Sequence, residues 1–129
     1  MGKKVIIVGG VAAGATTAAR LRRLDETAEI IMIERGEDIS FANCGLPYYV
    51  GDVIQNRNHL LVQTPQGMSR RFNLDIRTRQ EVVRIIPAEK AIEVQNLQDQ
   101  TVYRENYDYL VLCPGAKPIV PDFPGVDKR

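Results

Sequence analysis

Short continuous apolar runs flank an alanine-rich segment in the first third of the chain. Residues 5–8 and 30–33 are rich in β-branched side chains, which predicts two strands buried on both faces. Residues 13–24 have the composition of a helix, with Leu24 on its apolar side and arginines beside it. Strand, helix and strand in this order form a βαβ unit, in which the strands are parallel and the crossover is right-handed.

The middle of the chain has shorter patterns. Residues 35–40 form a polar loop, and residues 44–50 are predicted to be a short helix whose first turn tolerates a proline. Thr64 has the side chain of a helix N-cap and precedes Pro65, which predicts a helix that ends near Phe72.

From Asp75 onwards the pattern changes to short strands separated by turns. The strand-like runs are residues 76–86, 90–97 and 101–112. Residues 109–113 are again continuously apolar and are predicted to return to the buried sheet. Residues 114–129 hold four of the seven prolines, which predicts an extended exit segment. The predicted fold class is therefore α/β, with a parallel sheet and a small antiparallel β-meander.

Composition and charge narrow the function classes. The 129 residues are 44% hydrophobic and 26% charged, as in ordinary globular proteins, and their net charge is +1. This balance gives no reason to expect nucleic acid or an anionic membrane as a partner. No apolar run approaches the roughly 20 residues that span a bilayer, and the start "MGKK" has no signal-peptide pattern. Two cysteines without a secretory context favour the cytoplasm. The cysteines and the single histidine do not have the spacing of metal ligands, so no metal site is expected.

A glycine-rich turn follows the first predicted strand. The dinucleotide fingerprint G-x-G-x-x-G maps onto Gly9, Val11 and Gly14, so its second glycine is missing. Glu34 closes the second strand 20 residues beyond Gly14, where an acidic residue accepts hydrogen bonds from a ribose. Amides at the start of the following helix would face a pyrophosphate. The alternative is a generic βαβ turn whose glycines serve packing alone, with Glu34 as a solvated carboxylate.

The stretch "SFANCGLPYYVG" contains Cys44, for which four roles are open: a small buried hydrophobe, half of a disulfide with Cys113, a metal ligand or a reactive thiol. Two features favour the reactive thiol. Cys44 lies at a predicted helix start, where the helix dipole stabilises a thiolate. It also follows the loop after Glu34, on the face where a βαβ unit binds its dinucleotide. Cys113 ends an apolar strand and is predicted to be buried, and His59 is predicted to lie at the surface.

Three stretches together resemble a known family. They are "VIIVGGVAAGATTAARLRR", "ERGEDISFANCGLPYYVGD" and "YDYLVLCPGAKP", and they are similar to the N-terminal FAD-binding half of pyridine nucleotide–disulfide oxidoreductases. The resemblance extends over essentially all 129 residues. It points to the single-cysteine branch, which includes coenzyme A-disulfide reductases, NADH oxidases and NADH peroxidases. The "SFANCGLPYY" stretch is most similar to that of the coenzyme A-disulfide reductases.

The resemblance implies a Rossmann-like, truncated FAD-binding domain over residues 1–129, with the NAD-binding and dimerisation domains absent. The implied FAD-binding positions are Gly9, Gly10, Val11, Ala12, Ala13, Gly14, Glu34, Arg35, Val82, Cys113, Pro114, Gly115 and Ala116. The implied substrate-binding positions are Thr16, Arg20, Arg23, Ser40 and Asn43. Arg20 and Arg23 are three residues apart and share a helix face, which without the resemblance would be interpreted as a solvated basic surface.

By this resemblance Cys44 is the redox-active cysteine of the enzyme. Hydride from NAD(P)H would reach FAD, and Cys44 would reduce coenzyme A disulfide, or a related disulfide or persulfide, through a mixed disulfide. Oxidases and peroxidases of the branch carry a histidine in the glycine turn, where this chain has Ala12, which favours a disulfide substrate. The alternatives are an NADH oxidase or peroxidase that uses a sulfenic acid, and an inactive nucleotide-binding fragment. The full-length parent is expected to be a cytoplasmic homodimer, and the 129-residue chain alone to be inactive.

Overall fold

The computed structural model describes residues 2–127. Its seven strands are β1 (Lys4–Val8), β2 (Glu29–Glu34), β3 (Asp75–Thr78), β4 (Gln80–Ile86), β5 (Ala91–Asn96), β6 (Val102–Asn106) and β7 (Tyr109–Leu112). Its three α-helices are α1 (Ala12–Leu24), α2 (Leu46–Val50) and α3 (Pro65–Phe72). Short 3₁₀ turns occupy Asn43–Gly45, Arg57–Leu60 and Pro87–Glu89.

The strands form two sheets of different type. One is parallel with the order β3-β2-β1-β7, and the other is antiparallel with the order β4-β5-β6. The predicted βαβ unit is β1-α1-β2, and the predicted return of residues 109–113 is β7, which pairs with β1. The expected α/β class, with a parallel sheet and an antiparallel meander, is confirmed.

The central strands of the parallel sheet, β1 and β2, are buried on both faces, and their apolar residues alternate between two cores. On one face, Ile7, Ile30 and Met32 pack with Ala18 of α1 and Met68 of α3. On the other face, the intervening side chains Ile6, Ile31 and Ile33 pack against Ile92 and Val94 of the meander. This two-sided burial explains why these strands show continuous apolar runs instead of alternation.

Helix ends follow their sequence signals in part. Thr64 caps α3 as predicted, with its Oγ1 accepting from the Gly67 N–H at 3.1 Å. At the C-terminal end of α1, Leu24 is 67% exposed, so the prediction that it lies on the apolar side of the helix was wrong. The buried positions of α1 are the small residues Gly14, Ala15 and Ala18, because this helix lies close against the sheet.

Two predicted strand runs are divided between the sheets. Residues 76–86 are interrupted at Arg79, whose φ of 55° is in the left-handed region, so β3 joins the parallel sheet and β4 the meander. Residues 101–112 are divided in the same way at Tyr107 and Asp108, whose amides donate to the carbonyls of Lys90 and Lys4. The apolar pattern did not contain these boundaries, because both halves of each run are strands.

A polar cluster joins the two sheets at their edge. Arg77 of β3 donates to Glu105 Oε2 at 2.7 Å and to the Tyr103 hydroxyl at 3.0 Å, both on β6. Lys4 of β1 forms an ion pair with the same Glu105 carboxylate. Partial burial opposes the charge of Glu105, but the hydrogen bonds from Lys4 and Arg77 outweigh it and hold its pKa below the usual range.

Candidate functional site

The glycine turn between β1 and α1 needs its first and third glycines for steric reasons. Gly9 has a φ of +97°, and a Cβ there would lie 2.0 Å from the Cys113 carbonyl oxygen. A Cβ on Gly14 would lie 1.7 Å from the Gly9 carbonyl oxygen, so only glycine lets α1 approach β1 this closely. Val11, in place of the second glycine, has a φ of −83°, so this position does not need the positive φ that favours glycine.

The carboxylate of Glu34 is held at the end of β2 by two amides. The Gly10 N–H donates to its Oε2 at 2.7 Å, and the Gly36 N–H donates to its Oε1 at 2.8 Å. Glu34 is therefore not a freely solvated side chain, because it closes the glycine turn. Each of its oxygens keeps a further lone pair, which a ribose hydroxyl could use.

A cleft of about 530 Å³ opens beside this turn, and we call it the first cleft. The predicted cofactor positions that line it are Gly9, Val11, Ala12, Ala13, Glu34, Arg35, Val82, Cys113, Pro114, Gly115 and Ala116. Eleven of the thirteen predicted cofactor positions thus come together. The other two, Gly10 and Gly14, belong to the glycine turn but do not line the cleft.

The first cleft has the features that a dinucleotide requires. Ala12 and Ala13 lie exposed in the first turn of α1, where the amides lack intrahelical acceptors. No acidic side chain occupies this turn, so its partial positive charge faces the cleft. At the end of the adjacent strand, the Glu34 carboxylate is an acceptor that a ribose hydroxyl could use. The donor set of the first cleft therefore fits a pyrophosphate joined to a ribose.

A second cleft of about 400 Å³ lies along α1, one to three turns further on. Four predicted substrate positions line it, namely Thr16, Arg20, Arg23 and Ser40. The same cleft also contains Gln63, Met68, Arg71 and Phe72. The fifth predicted position, Asn43, lies instead at the first cleft. The arginines give this second cleft a cationic rim.

Cys44 lies immediately after the segment that connects the two clefts. This segment runs from Ser40 in the second cleft to Asn43 in the first, and Cys44 follows as an exposed free thiol. The Ser40 N–H donates to the Gly10 carbonyl at 2.8 Å, and the Ala42 N–H donates to the Leu60 carbonyl at 2.7 Å. The segment is thereby attached to the glycine turn at one point and to the 3₁₀ turn near Leu60 at another.

The surroundings of Cys44 differ from the prediction in one respect. Cys44 lies in the 3₁₀ turn Asn43–Gly45, and α2 begins two residues later at Leu46, so it is not the first residue of an α-helix. The five-residue α2 gives a weaker end charge than a long helix would. Arg57 helps to hold the preceding loop, because it pairs with Asp38 at 2.6 Å and lies 5.4 Å from the ring centroid of Phe41.

The other candidate residues are placed as follows. Cys113 is half-buried and lines the first cleft, so the prediction of a buried Cys113 was wrong. It forms no disulfide with Cys44, since both thiols are free. His59 is exposed, as predicted. Within residues 2–127, no group of three or more His, Cys, Asp or Glu side chains is arranged to hold a metal ion. None of the helices in that range has the length and apolar character of a membrane span.

Sequence reasoning missed several residues of both clefts. Gln80 and Glu81 line the first cleft because β4 passes beside β2. Arg71 and Phe72 line the second cleft because α3 packs beside α1, and Gln63 lines it from just before the Thr64 cap of α3. The basic pair at the end of α3 was visible in the sequence. Nothing local, however, connects it with arginines about 50 positions earlier.

The chain is similar to known proteins along most of its length. The family model described as "Pyridine nucleotide-disulphide oxidoreductase" matches residues 3–129. A coenzyme A disulfide reductase of Staphylococcus epidermidis is 45% identical over 113 residues, which cover 88% of this chain and 26% of that protein. The chain thus spans about a quarter of the length of the curated relatives it matches.

Two solved structures are similar to the chain along nearly its whole length. The reduced CoADR-RHD of Bacillus anthracis is 61% identical with a TM-score of 0.92, covering 98% of this chain and 23% of that one. The NAD-dependent persulfide reductase of A. fulgidus is 33% identical with a TM-score of 0.88, covering 96% of this chain and 23% of that one.

Proposed function

Because the chain belongs to the pyridine nucleotide-disulphide oxidoreductase family, we propose that it is the FAD-binding part of an NAD(P)H-dependent disulfide reductase. The substrate is coenzyme A disulfide or a related disulfide, and Cys44 is the thiol that reacts with it. The NAD-binding and dimerisation domains of this enzyme lie outside residues 1–129. The relatives that carry coenzyme A in their names support the substrate assignment.

One observation carries this proposal: an exposed free thiol directly follows the segment that joins a cationic cleft to a dinucleotide-type cleft. A reductase of this kind needs an electron source and a substrate site near its thiol. Ser40 lines the cationic cleft and Asn43 the dinucleotide-type cleft, so Cys44 is within four residues of both along the chain.

The residues of the first cleft fit FAD. The α1 amides near Ala12 and Ala13 would hold its pyrophosphate, Glu34 its adenosine ribose, and the turn Cys113–Ala116 would contact the flavin. FAD, when bound, supplies the electron pair that reduces a disulfide. Val82, next to the register shift of β4, would contact the adenine through its backbone.

The chemistry of Cys44 is thiol–disulfide exchange. The Cys44 thiolate attacks one sulfur of the substrate disulfide, a new S–S bond forms, and the other coenzyme A leaves as a thiolate that takes up a proton. Two electrons from NAD(P)H then cleave the mixed disulfide, which regenerates the Cys44 thiolate and releases the second coenzyme A. The chain has no second cysteine adjacent to Cys44, so the partner thiol comes from the substrate.

The second cleft supports a polyanionic thiol as the substrate. Coenzyme A carries several phosphate oxygens, and guanidinium groups bind phosphate through paired hydrogen bonds. Arg20 and Arg23 stand on one face of α1 beside Thr16, and Ser40 connects this cleft to the thiol segment. The interpretation of this face as a merely solvated basic surface does not account for the cleft.

Intact-mass analysis and peptide mapping of the full-length enzyme, purified aerobically without reductant, test the proposal. We expect a coenzyme A adduct on the peptide that contains Cys44, and none on the peptide that contains Cys113. Cys44→Ser should abolish both the adduct and the reduction of coenzyme A disulfide. An unmodified Cys44, together with disulfide turnover that survives Cys44→Ser, would refute the proposal.

The main alternative is an NADH oxidase or peroxidase in which Cys44 cycles through a sulfenic acid. Steady-state rates with oxygen, hydrogen peroxide and coenzyme A disulfide separate the two reactions. Ala12, at the cleft wall where those enzymes carry a histidine, favours the disulfide. A clear preference of the enzyme for peroxide or oxygen would establish the alternative.

Persulfide reduction is a second candidate, which the similarity to the persulfide reductase of A. fulgidus favours. The same Cys44 thiolate would attack the inner sulfur of a coenzyme A persulfide and release hydrosulfide. Comparing kcat/KM for coenzyme A disulfide and coenzyme A persulfide decides between these substrates. The proposed enzyme is a homodimer. We also propose that it is cytoplasmic, since the free thiols of Cys44 and Cys113 are consistent with a reducing compartment.

A further inference from the structure

Phe72, the last residue of α3, lies between the hydrophobic core and the second cleft. Its ring is half-buried and packs against the helix-side core, yet it also lines the second cleft. The guanidinium carbons of Arg23 and Arg71 lie 5.6 Å and 5.2 Å from the ring centroid. One aromatic ring therefore contacts an arginine of α1 and an arginine of α3, at the rim of the same cleft.

These arginines lack the partners that usually orient a surface cation. Within residues 2–127, the ion pairs include neither Arg20 nor Arg23 nor Arg71. A long exposed side chain without a partner samples many rotamers, and ordering it on binding costs conformational entropy. The ring of Phe72 reduces this cost, because each guanidinium is already attracted to its face.

The backbone of Phe72 is itself fixed to α1. Arg22 Nε donates to the Phe72 carbonyl at 2.8 Å, and Arg22 Nη2 donates to the Asn73 carbonyl at 2.8 Å. Arg22 also donates to the carbonyls of Asp25 and Glu26, just after the end of α1. The ring is therefore anchored to the same helix that carries Arg20 and Arg23.

We propose that Phe72 is a positioning residue for the substrate. It holds the guanidinium groups of Arg23 and Arg71 at the rim of the second cleft, where they bind the phosphate groups of a coenzyme A-type disulfide. It thereby sets the preference for a phosphate-bearing disulfide over an equivalent disulfide without phosphates. This inference rests on the proposed function, and the two substrates of the test separate its failure from the failure of that function.

The test uses the full-length flavin-loaded enzyme with two disulfides. Coenzyme A disulfide carries the phosphates, and pantethine has the same reacting disulfide without them. Phe72→Leu should raise KM for coenzyme A disulfide about 3- to 10-fold, as expected from losing one or two cation–π contacts, with kcat unchanged. KM for pantethine should stay constant, and Phe72→Tyr, which keeps the ring, should restore the wild-type KM for coenzyme A disulfide.

A matched pair of surface variants tests the same point without altering the core. Arg71→Lys keeps the charge but loses the planar group that lies on the ring, so KM for coenzyme A disulfide should rise. Arg70→Lys changes the neighbouring exposed arginine, which lies outside the second cleft, and KM should stay constant. This pair gives the decisive result if Phe72→Leu does not fold.

The outcomes are distinguishable. Wild-type enzyme that does not reduce coenzyme A disulfide overturns the proposed function. A wild-type enzyme that does so, with a Phe72→Leu variant that raises both KM values equally or neither, overturns the positioning role. An Arg71→Lys variant indistinguishable from Arg70→Lys also overturns it.

Discussion

At the scale of single residues, the glycine turn is determined by contacts between backbone atoms. Gly14 faces the carbonyl of Gly9 across the narrow gap between α1 and β1, and Gly9 faces the carbonyl of Cys113. Neither backbone atom can move aside as a flexible side chain could. The missing second glycine is tolerated for the opposite reason, because Val11 has a negative φ and extends toward the open cleft.

We therefore expect Gly14→Ala to destabilise the chain by about 3 kcal/mol, since an added methyl would have to push α1 away from the sheet. Urea unfolding followed by circular dichroism measures this loss. Gly36→Ala is the matched control, because its Cβ would meet nothing closer than the Glu34 side chain at 3.4 Å. The control should stay within about 0.5 kcal/mol of the wild type. Equal stabilities of the two variants would contradict the steric explanation.

At the scale of elements, the parallel sheet and the meander are joined by apolar packing and by one polar cluster. Glu105 on β6 accepts from Lys4 on β1 and from Arg77 on β3, so a single carboxylate links three strands. The pKa of Glu105 is lowered because these cations outweigh the effect of its partial burial. A carboxylate with a lowered folded-state pKa stabilises the fold above its unfolded-state pKa, and this stabilisation is lost as the pH falls.

Glu105→Gln should accordingly cost about 1–3 kcal/mol at pH 7, where the carboxylate is charged and its partners are partly buried. The difference from the wild type should shrink as the pH falls from about 5 to 3, because protonation removes the wild-type advantage. Unfolding free energies across this range give the measurement. Glu89→Gln, which removes an exposed ion pair with Arg104, should change stability by less than about 1 kcal/mol. A pH-independent difference would argue against an electrostatic role of Glu105.

The elements that depend on local pattern were predictable, and their assignment to sheets was not. The runs that became β1, α1 and β2 have strong periodicity, and the cap at Thr64 is a local signal. The divisions at Arg79 and after Asn106 depend on amides that bond to distant carbonyls, such as Arg79 N–H to Gly36. Similarly, the first cleft was predictable from one βαβ unit and a resemblance. The α3 side of the second cleft required knowing that α3 packs on α1.

At the scale of the whole molecule, the first cleft has open walls. Ala12, Ala13, Arg35 and Pro114 along its walls are exposed. Binding sites for cofactors usually bury most of the ligand surface. β7 also ends the parallel sheet as an edge strand within the described residues, with Tyr109 and Leu112 more than half exposed.

We expect the 129-residue chain alone to bind FAD about 100-fold or more weakly than the full-length enzyme, since losing about 3 kcal/mol of contacts has this effect. It should show no NAD(P)H-dependent turnover. Gel filtration in the presence of excess FAD, followed by an absorbance spectrum of the protein peak, checks the first expectation, with the full-length enzyme as the positive control. A yellow chain with one flavin per polypeptide would show that residues 1–129 suffice for binding.

The backbone of one residue, Gly10, is hydrogen-bonded toward both clefts. The N–H of Gly10 serves the Glu34 carboxylate, and its carbonyl holds the segment that leads to Cys44. A side chain at this position would in addition collide with Ile39 and Met32 in the core, at 2.8 Å and 2.9 Å. In evolutionary terms the position is pleiotropic, because a change that alters the nucleotide side also alters the thiol side. Under the proposed function, adaptation to a new disulfide would therefore have to arise elsewhere, through residues such as Arg71 that belong to one cleft alone.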